Sequence, residues 1–219
     1  MIGHRPLRPR VRLRHPRTFT LNLLAIGIAT WVMAVSPAIS HAQPDRDEWL
    51  KWSELPPIPN SLGVAGPFVG VHGEALIVAG GANFPTPVWD NDKVWHDSIY
   101  VLPRSSGIST DDGPQWIEAG KLPRLTGYGA SVSIPSSESA HHGVLCLGGN
   151  DSDATFRNVY LLRWDPSSRL IERIDFPALP EPCVHASAQL IGKSVYVVGG
   201  QTGSDLSTTR RRARSSGMA

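Results

Sequence analysis

The residues best suited to chemistry in this sequence crowd into one stretch, "NFPTPVWDNDKVWH" (83–96), where amides, aromatic rings and both signs of charge share fourteen positions. Asn83, Phe84, Trp89, Asp90 and Lys93 are its most versatile members. Rings beside amides and charges suit a sugar, which offers an apolar CH face rimmed by hydroxyls, and suit a peptide segment nearly as well. The same mixture recurs in "NDSDATFR" (150–157), with Asn150, Asp151, Asp153 and Arg157, and two further polar rings stand at Tyr128 and His185. These residues are far apart in the chain, so any site depends on the elements that gather them.

Those elements repeat. "EALIVAGGANF" (74–84), "GVLCLGGND" (143–151) and "KSVYVVGGQTG" (193–203) are each an apolar run closed by Gly-Gly, and the pairs are led by Gly80, Gly148 and Gly199. "DSIYVL" (97–102) follows the first pair and "RNVYLL" (157–162) the second, each carrying a Tyr. "WSELPPIP" (52–59), "WIEAGKLPRL" (116–125) and "IDFPALPEP" (174–182) precede the three units. Helical periodicity is nearly absent after residue 50, and 21 Gly and 19 Pro punctuate short β-branched runs. Four short antiparallel strands in a unit of about fifty residues is the arithmetic of a β-propeller blade. The glycines serve a bend at a strand end, where positive φ or close approach excludes a Cβ.

The pattern resembles the kelch repeat, in which a Gly-Gly-ending strand is followed by spaced Tyr and Trp. The expected fold is therefore all-β, a kelch-type β-propeller forming a partial ring of about two and a half blades plus one N-terminal outer strand at "KWSEL". Residues 43–205 read as this partial propeller. The third unit stops after its second strand, and residues 206–219, "LSTTRRRARSSGMA", read as a basic, disordered tail of the kind a truncation or frameshift produces, the alternative being a natural tail on an independent domain.

In kelch blades the loop after the Gly-Gly strand and the segment leading into the next innermost strand share one face around the central channel. That resemblance places Asn83, Phe84, Trp89, Asp90, Lys93, Asn150, Arg157, Tyr128 and His185 on a common face. The combination "GGANFP" with "KVWHDSIYVL", preceded by "WSELPPIPNSLGVAGPFVG", is more specific: it is similar to the cyclically permuted mutarotases, kelch-propeller relatives of the N-acetylneuraminate epimerases. The match covers roughly residues 50–206. It implies an exported isomerase that interconverts anomers or epimers of sialic acid by acid–base chemistry, without a cofactor or metal. His185 and Asp90 are then the acid–base candidates. Lys93 or Arg157 would hold the substrate carboxylate, with Asn83, Phe84, Trp89, Tyr128 and Asn150 lining the pocket. An incomplete ring leaves this chain short of turnover. The alternative use of the same face is a non-catalytic extracellular module binding glycan or protein.

Charge and cysteine content narrow the field further. All 19 acidic residues fall between positions 43 and 209 with only 11 of the 21 Lys and Arg, a balance of 11 − 19 = −8 that makes this body a poor nucleic-acid binder. Six of the other Arg precede an apolar segment from Phe19 to Val35, and Ser40-His41-Ala42 supplies small residues at a cleavage site. Residues 1–42 thus read as a signal peptide, giving a periplasmic or secreted protein with no membrane association after cleavage; an uncleaved anchor is the other reading. Cys146 and Cys183 are either a disulfide or two buried thiols, and they make a structural zinc site improbable. The open edges of a partial propeller make self-association a further expectation.

Overall fold

The computed structural model describes residues 50–104, 114–203, 205–206 and 210–214, so the expected signal peptide lies outside the described residues. The chain divides at Trp52, and everything below concerns the compact unit from Ser53 onward. The described residues are all-β, and the unit is propeller-like. β1 (Phe68–His72), β2 (Ala75–Ala79), β5 (Ser98–Pro103) and β6 (Ile117–Lys121) form an antiparallel four-stranded sheet in that order. A two-residue ribbon, β3 (Ala82–Asn83) with β4 (Val94–Trp95), projects from it. β7 (Ala130–Ile134), β8 (Gly143–Leu147), β9 (Val159–Asp165) and β10 (Leu170–Phe176) repeat the arrangement, again with strands in sequence order. The third sheet pairs β11 (Ser187–Ile191) with β12 (Ser194–Val198), beside a second ribbon of β13 (Gln201–Thr202) and β14 (Asp205–Leu206), and ends on β15 (Arg210–Arg214).

Two differences from the sequence expectation stand out. Arg210–Arg214, read as part of a disordered tail, is a strand paired along all of β12, from Val198↔Arg210 to Ser194↔Arg214. The physical reason is the open edge of β12, whose unpaired N–H and C=O groups accept an extended segment whatever its composition. Arg211 pairs with Glu181 at 2.5 Å, while Arg212 lies over Tyr196 and donates to Ser194 Oγ. Conversely, the stretch around Trp52 forms no strand, and Trp52 itself is exposed. Pro56, Pro57 and Pro59 remove three donors there, and the Pro56 carbonyl instead accepts the indole N–H of Trp116.

Strand alternation decides what holds the sheets together. Along β2 the residues Ala75, Ile77 and Ala79 are buried against the second sheet, packing with Phe68, Ile99, Val101, Val144, Cys146 and Tyr160. Phe68 and Tyr160 meet edge to face with centroids 6.0 Å apart. The other face of β8 and β9 carries Leu145, Leu147 and Leu161 into a second core with Val195 and Val197 of the third sheet. β8 is therefore buried along its whole length, because both of its faces have neighbours, whereas β2 alternates buried and half-buried. Each fully buried side chain of this size contributes about 1.5–3 kcal/mol. Both cysteines are buried free thiols, one in each core, and burial pushes the Cys146 thiol well above its ordinary pKa.

The glycine pairs do what the repeat predicts. Gly80 and Gly148 have φ of 68° and 64°, and a Cβ on either would collide with a backbone carbonyl of the segment leading into the next sheet, that of Thr126 or Cys183. The strand ends thus touch the following sheet through bare backbone.

Candidate functional site

The segments leading into the first strand of each of the three sheets are built alike. Ala65, Gly127 and Val184 form isolated bridges to Ala82, Asn150 and Gln201, the residues just after each glycine pair. The next residue in each case, Gly66, Tyr128 or His185, has a left-handed backbone with φ of 63°, 57° and 57°. A backbone ladder then runs from sheet to sheet: Tyr128 N–H donates to the Gly66 carbonyl at 2.6 Å and His185 N–H to the Tyr128 carbonyl at 2.8 Å. Gly66 needs no side chain, since a Cβ there would enter the Tyr128 ring. Tyr128 and His185 do carry side chains in a conformation costing roughly 1–3 kcal/mol for such residues, and strain of this kind persists where the surrounding structure imposes it.

That repeated turn aims two rings at one place. The Tyr128 and His185 rings lie 5.0 Å apart, tilted by 54°. Trp95, on β4, meets Tyr128 edge to face at 5.7 Å. Lys93, one residue before β4, brings its ammonium within 4.9 Å of the Tyr128 centroid and 5.3 Å of both Trp95 and Phe84, with Nζ 3.4 Å from the Tyr128 hydroxyl. The ribbon makes this possible: Ala82↔Trp95 and Asn83↔Val94 fold the long loop back on itself, so that Phe84 and Trp95, eleven positions apart in sequence, both flank the Lys93 ammonium. Lys93 is half-buried and forms no ion pair with a carboxylate among the described residues. A cation framed by three aromatic faces is a seat for an anionic group with an apolar flank.

The remaining expected site residues divide. Asn83 uses its amide on Asn60 Oδ1 and the Gly63 carbonyl, fixing the segment that precedes β1. Asn150 donates to the Asp151 carbonyl and leaves a buried Oδ1 without a protein partner, while Asp151 Oδ1 accepts from the N–H groups of Asp153 and Ala154 and shapes its own turn. Arg157 donates from Nε to the Leu179 carbonyl at 2.7 Å. Trp89 and Asp90 sit exposed in a turn where Asp90 N–H donates to the Pro87 carbonyl. The cluster therefore joins Phe84, Lys93, Tyr128 and His185, and adds Trp95, which the sequence reading passed over. Its signal was present in "KVWHD": Val94 is exposed, so strand alternation turns Lys93 and Trp95 to the other side. Among the described residues no group of three His, Cys, Asp or Glu converges as metal ligands.

Comparison with known proteins bears on the fold and on sequence similarity. No family model matches the chain. It is 37% identical over 139 residues to the N-acetylneuraminate epimerase of Brucella suis, covering 57% of this chain and 32% of the relative. The corresponding protein of Yersinia pestis is 33% identical over 123 residues, covering 50% and 27%, and N-acetylneuraminate epimerase 1 of Escherichia coli O6:H1 is 32% identical over 136 residues, covering 56% and 32%. The chain thus spans about a third of the length of the curated relatives it matches. Among solved structures, that of YjhT superposes with a TM-score of 0.54 at 14% identity, over 74% of this chain and 46% of that one. By sequence the chain is similar to N-acetylneuraminate epimerases over about half of its own length, and by fold it is an all-β, propeller-like protein of the kind seen in YjhT.

Proposed function

We propose that this chain supplies one arc of a binding site for an N-acetylneuraminate-like sugar acid, within an exported kelch-type propeller that interconverts the anomers or epimers of that sugar. The observation that carries the reading is the half-buried ammonium of Lys93 among Phe84, Trp95 and Tyr128, without a carboxylate partner among the described residues. A sugar carboxylate would take that cation while the apolar ring face rests on the aromatics. In the reaction, a base removes the proton of the anomeric hydroxyl. The bond from the anomeric carbon to the ring oxygen breaks with its electrons moving to that oxygen, which an acid protonates; reclosure on the other face reverses each transfer. His185, against the Tyr128 ring, is the acid–base candidate within the cluster, and Asp90 stands in the turn of the β3–β4 loop. The similarity to named epimerases supports the substrate class, and Arg-rich residues 1–17 followed by an apolar segment support export.

The test is an NMR titration of the full chain with N-acetylneuraminate, followed by anomer-exchange measurements with the chain and with a version extended to the length of its relatives. The expected result is saturable perturbation of the Trp95 indole and Tyr128 signals, with faster anomer exchange in the extended version. Perturbation without acceleration in either version would leave a glycan-binding module, the reading that the exposed Phe84, Val88 and Trp89 favour; no perturbation overturns both.

A further inference from the structure

Two histidines meet at the strand ends farthest from Lys93 and Tyr128. His72 closes β1 in the first sheet, and His142 immediately precedes β8 in the second. His72 Nε2 lies 2.8 Å from His142 Nδ1, and the rings stack with centroids 5.0 Å apart and planes inclined by 25°. On its other side, His72 Nδ1 accepts the backbone N–H of Trp164, on β9, at 2.9 Å. A backbone amide can only donate, so Nδ1 carries no hydrogen and the neutral His72 ring holds its proton on Nε2, from which it donates to His142 Nδ1. The tautomers of both rings follow from that one amide. There is room for one proton between the facing nitrogens and for none on His72 Nδ1.

We propose that the His72–His142 pair is a pH-sensitive clamp between the first and second sheets, closed while both rings are neutral and opened by proton uptake. A second proton between the rings, or one on His72 Nδ1, sets N–H against N–H and costs a hydrogen bond that ties β1 to β8 or to β9. The charged groups around the pair are already engaged. Arg163 of β9 faces it and pairs with Glu172 of β10 at 3.7 Å. The Asp165 carboxylate at the end of β9 accepts from Ser167 and Ser168, and Glu74 of the β1–β2 turn pairs with Arg104 at 3.6 Å. Among the described residues no carboxylate hydrogen-bonds either ring. Cavities of about 510 and 780 Å³, both lined by His72, His142 and Trp164, flank the pair and give protons a path to it.

Burial, and then the charges of His142 and Arg163, hold His72 below its ordinary pKa of 6.5. The unfolded chain therefore binds this proton at higher pH than the folded one. The clamp's contribution is whole above pH 6.5 and is lost as pH falls from there through the folded value.

The experiment is a titration of the uniformly ¹⁵N-labelled full chain from pH 8 to pH 5, reading imidazole tautomers by long-range ¹H–¹⁵N correlation and the protection factor of the Trp164 amide. The expected result is His72 protonated on Nε2 alone at pH 8, titrating below pH 6.5. Trp164 protection then falls by up to about tenfold per pH unit as pH drops from 6.5 to that titration point and levels off below it, while the amides of β12 change less. His142→Gln, which keeps an acceptor for Nε2–H but removes the neighbouring charge, is expected to raise the His72 titration point, an effect a merely structural contact would not produce. A His72 ring protonated on Nδ1 at pH 8, titrating at or above pH 6.5, or leaving Trp164 protection unchanged to pH 5 overturns the proposal; the unsubstituted chain alone yields all three readings if the variant does not fold.

Discussion

The ammonium of Lys93 rides 4.9 Å from the centroid of the Tyr128 ring, with Nζ 3.4 Å from its hydroxyl, although 35 residues separate the two in sequence. Lys93 reaches that position from the β3–β4 ribbon of the first sheet, and Tyr128 from the left-handed turn that leads into the second. The site is thus assembled across a sheet-to-sheet junction.

Lys93→Gln removes the charge and shortens the side chain by one atom. Because the half-buried ammonium loses its contacts with three rings, stability is expected to fall by about 0.5–1 kcal/mol. Binding of N-acetylneuraminate is expected to weaken tenfold or more, since a charge-assisted hydrogen bond contributes about 1.5–3 kcal/mol. Parallel urea melts and NMR titrations separate the two effects; equal affinity in the variant would remove Lys93 from the site.

His185 occupies an exposed position with φ of 57°. His185→Gly is expected to be neutral or stabilising by up to about 1 kcal/mol, and His185→Val to destabilise by more than about 1 kcal/mol, because a β-branched residue is the least tolerant of that backbone. Denaturant unfolding of the two variants checks the order. A Val variant as stable as the Gly variant would show that the turn relaxes.

The glycine pairs offer a contrast within one molecule. Gly148 is pressed against the Cys183 carbonyl, whereas a Cβ at Gly199, in the equivalent position of the third sheet, would meet nothing within 4 Å. Both have positive φ, so each Ala variant bears the backbone cost of roughly 1–2 kcal/mol, but Gly148→Ala adds a steric collision. Its destabilisation is expected to exceed that of Gly199→Ala by at least about 1 kcal/mol in thermal or urea melts.

Phe68 is 1% exposed, while its strand neighbours Val69 and Val71, turned away from the second sheet, are 44% and 51% exposed. Phe68→Ala is expected to cost about 3–5 kcal/mol. Val69→Thr with Val71→Thr is expected to stay within about 1 kcal/mol in the same urea melts.

Much of this was legible in the linear chain. Gly-Gly after an apolar run, Tyr in the sheet strand that follows, and the absence of helical spacing led to all-β sheets of four strands, since local backbone needs and alternation are written residue by residue. The grouping of Phe84, Lys93, Tyr128 and His185 on one side was legible through the repeat, which aligns Tyr128 with His185. Trp95 was passed over, although alternation in "KVWHD" places it on the same side as Lys93. The behaviour of Arg210–Arg214 was also hidden: its composition reads as a solvated tail, and only the vacant edge of β12 makes it a strand.

By itself, the sequence determined the kind and order of the strands, the positions requiring glycine, and the residue types available for chemistry, because each of these depends on a residue and its near neighbours. Tertiary structure decided which polar side chains are engaged in holding turns, as Asn83, Asp151 and Arg157 are, and which are presented, as Lys93 is. It also decided that His72 and His142, 70 residues apart, share one proton. These are contacts between sheets, and the distance between two side chains on different sheets is set by packing that no local pattern encodes.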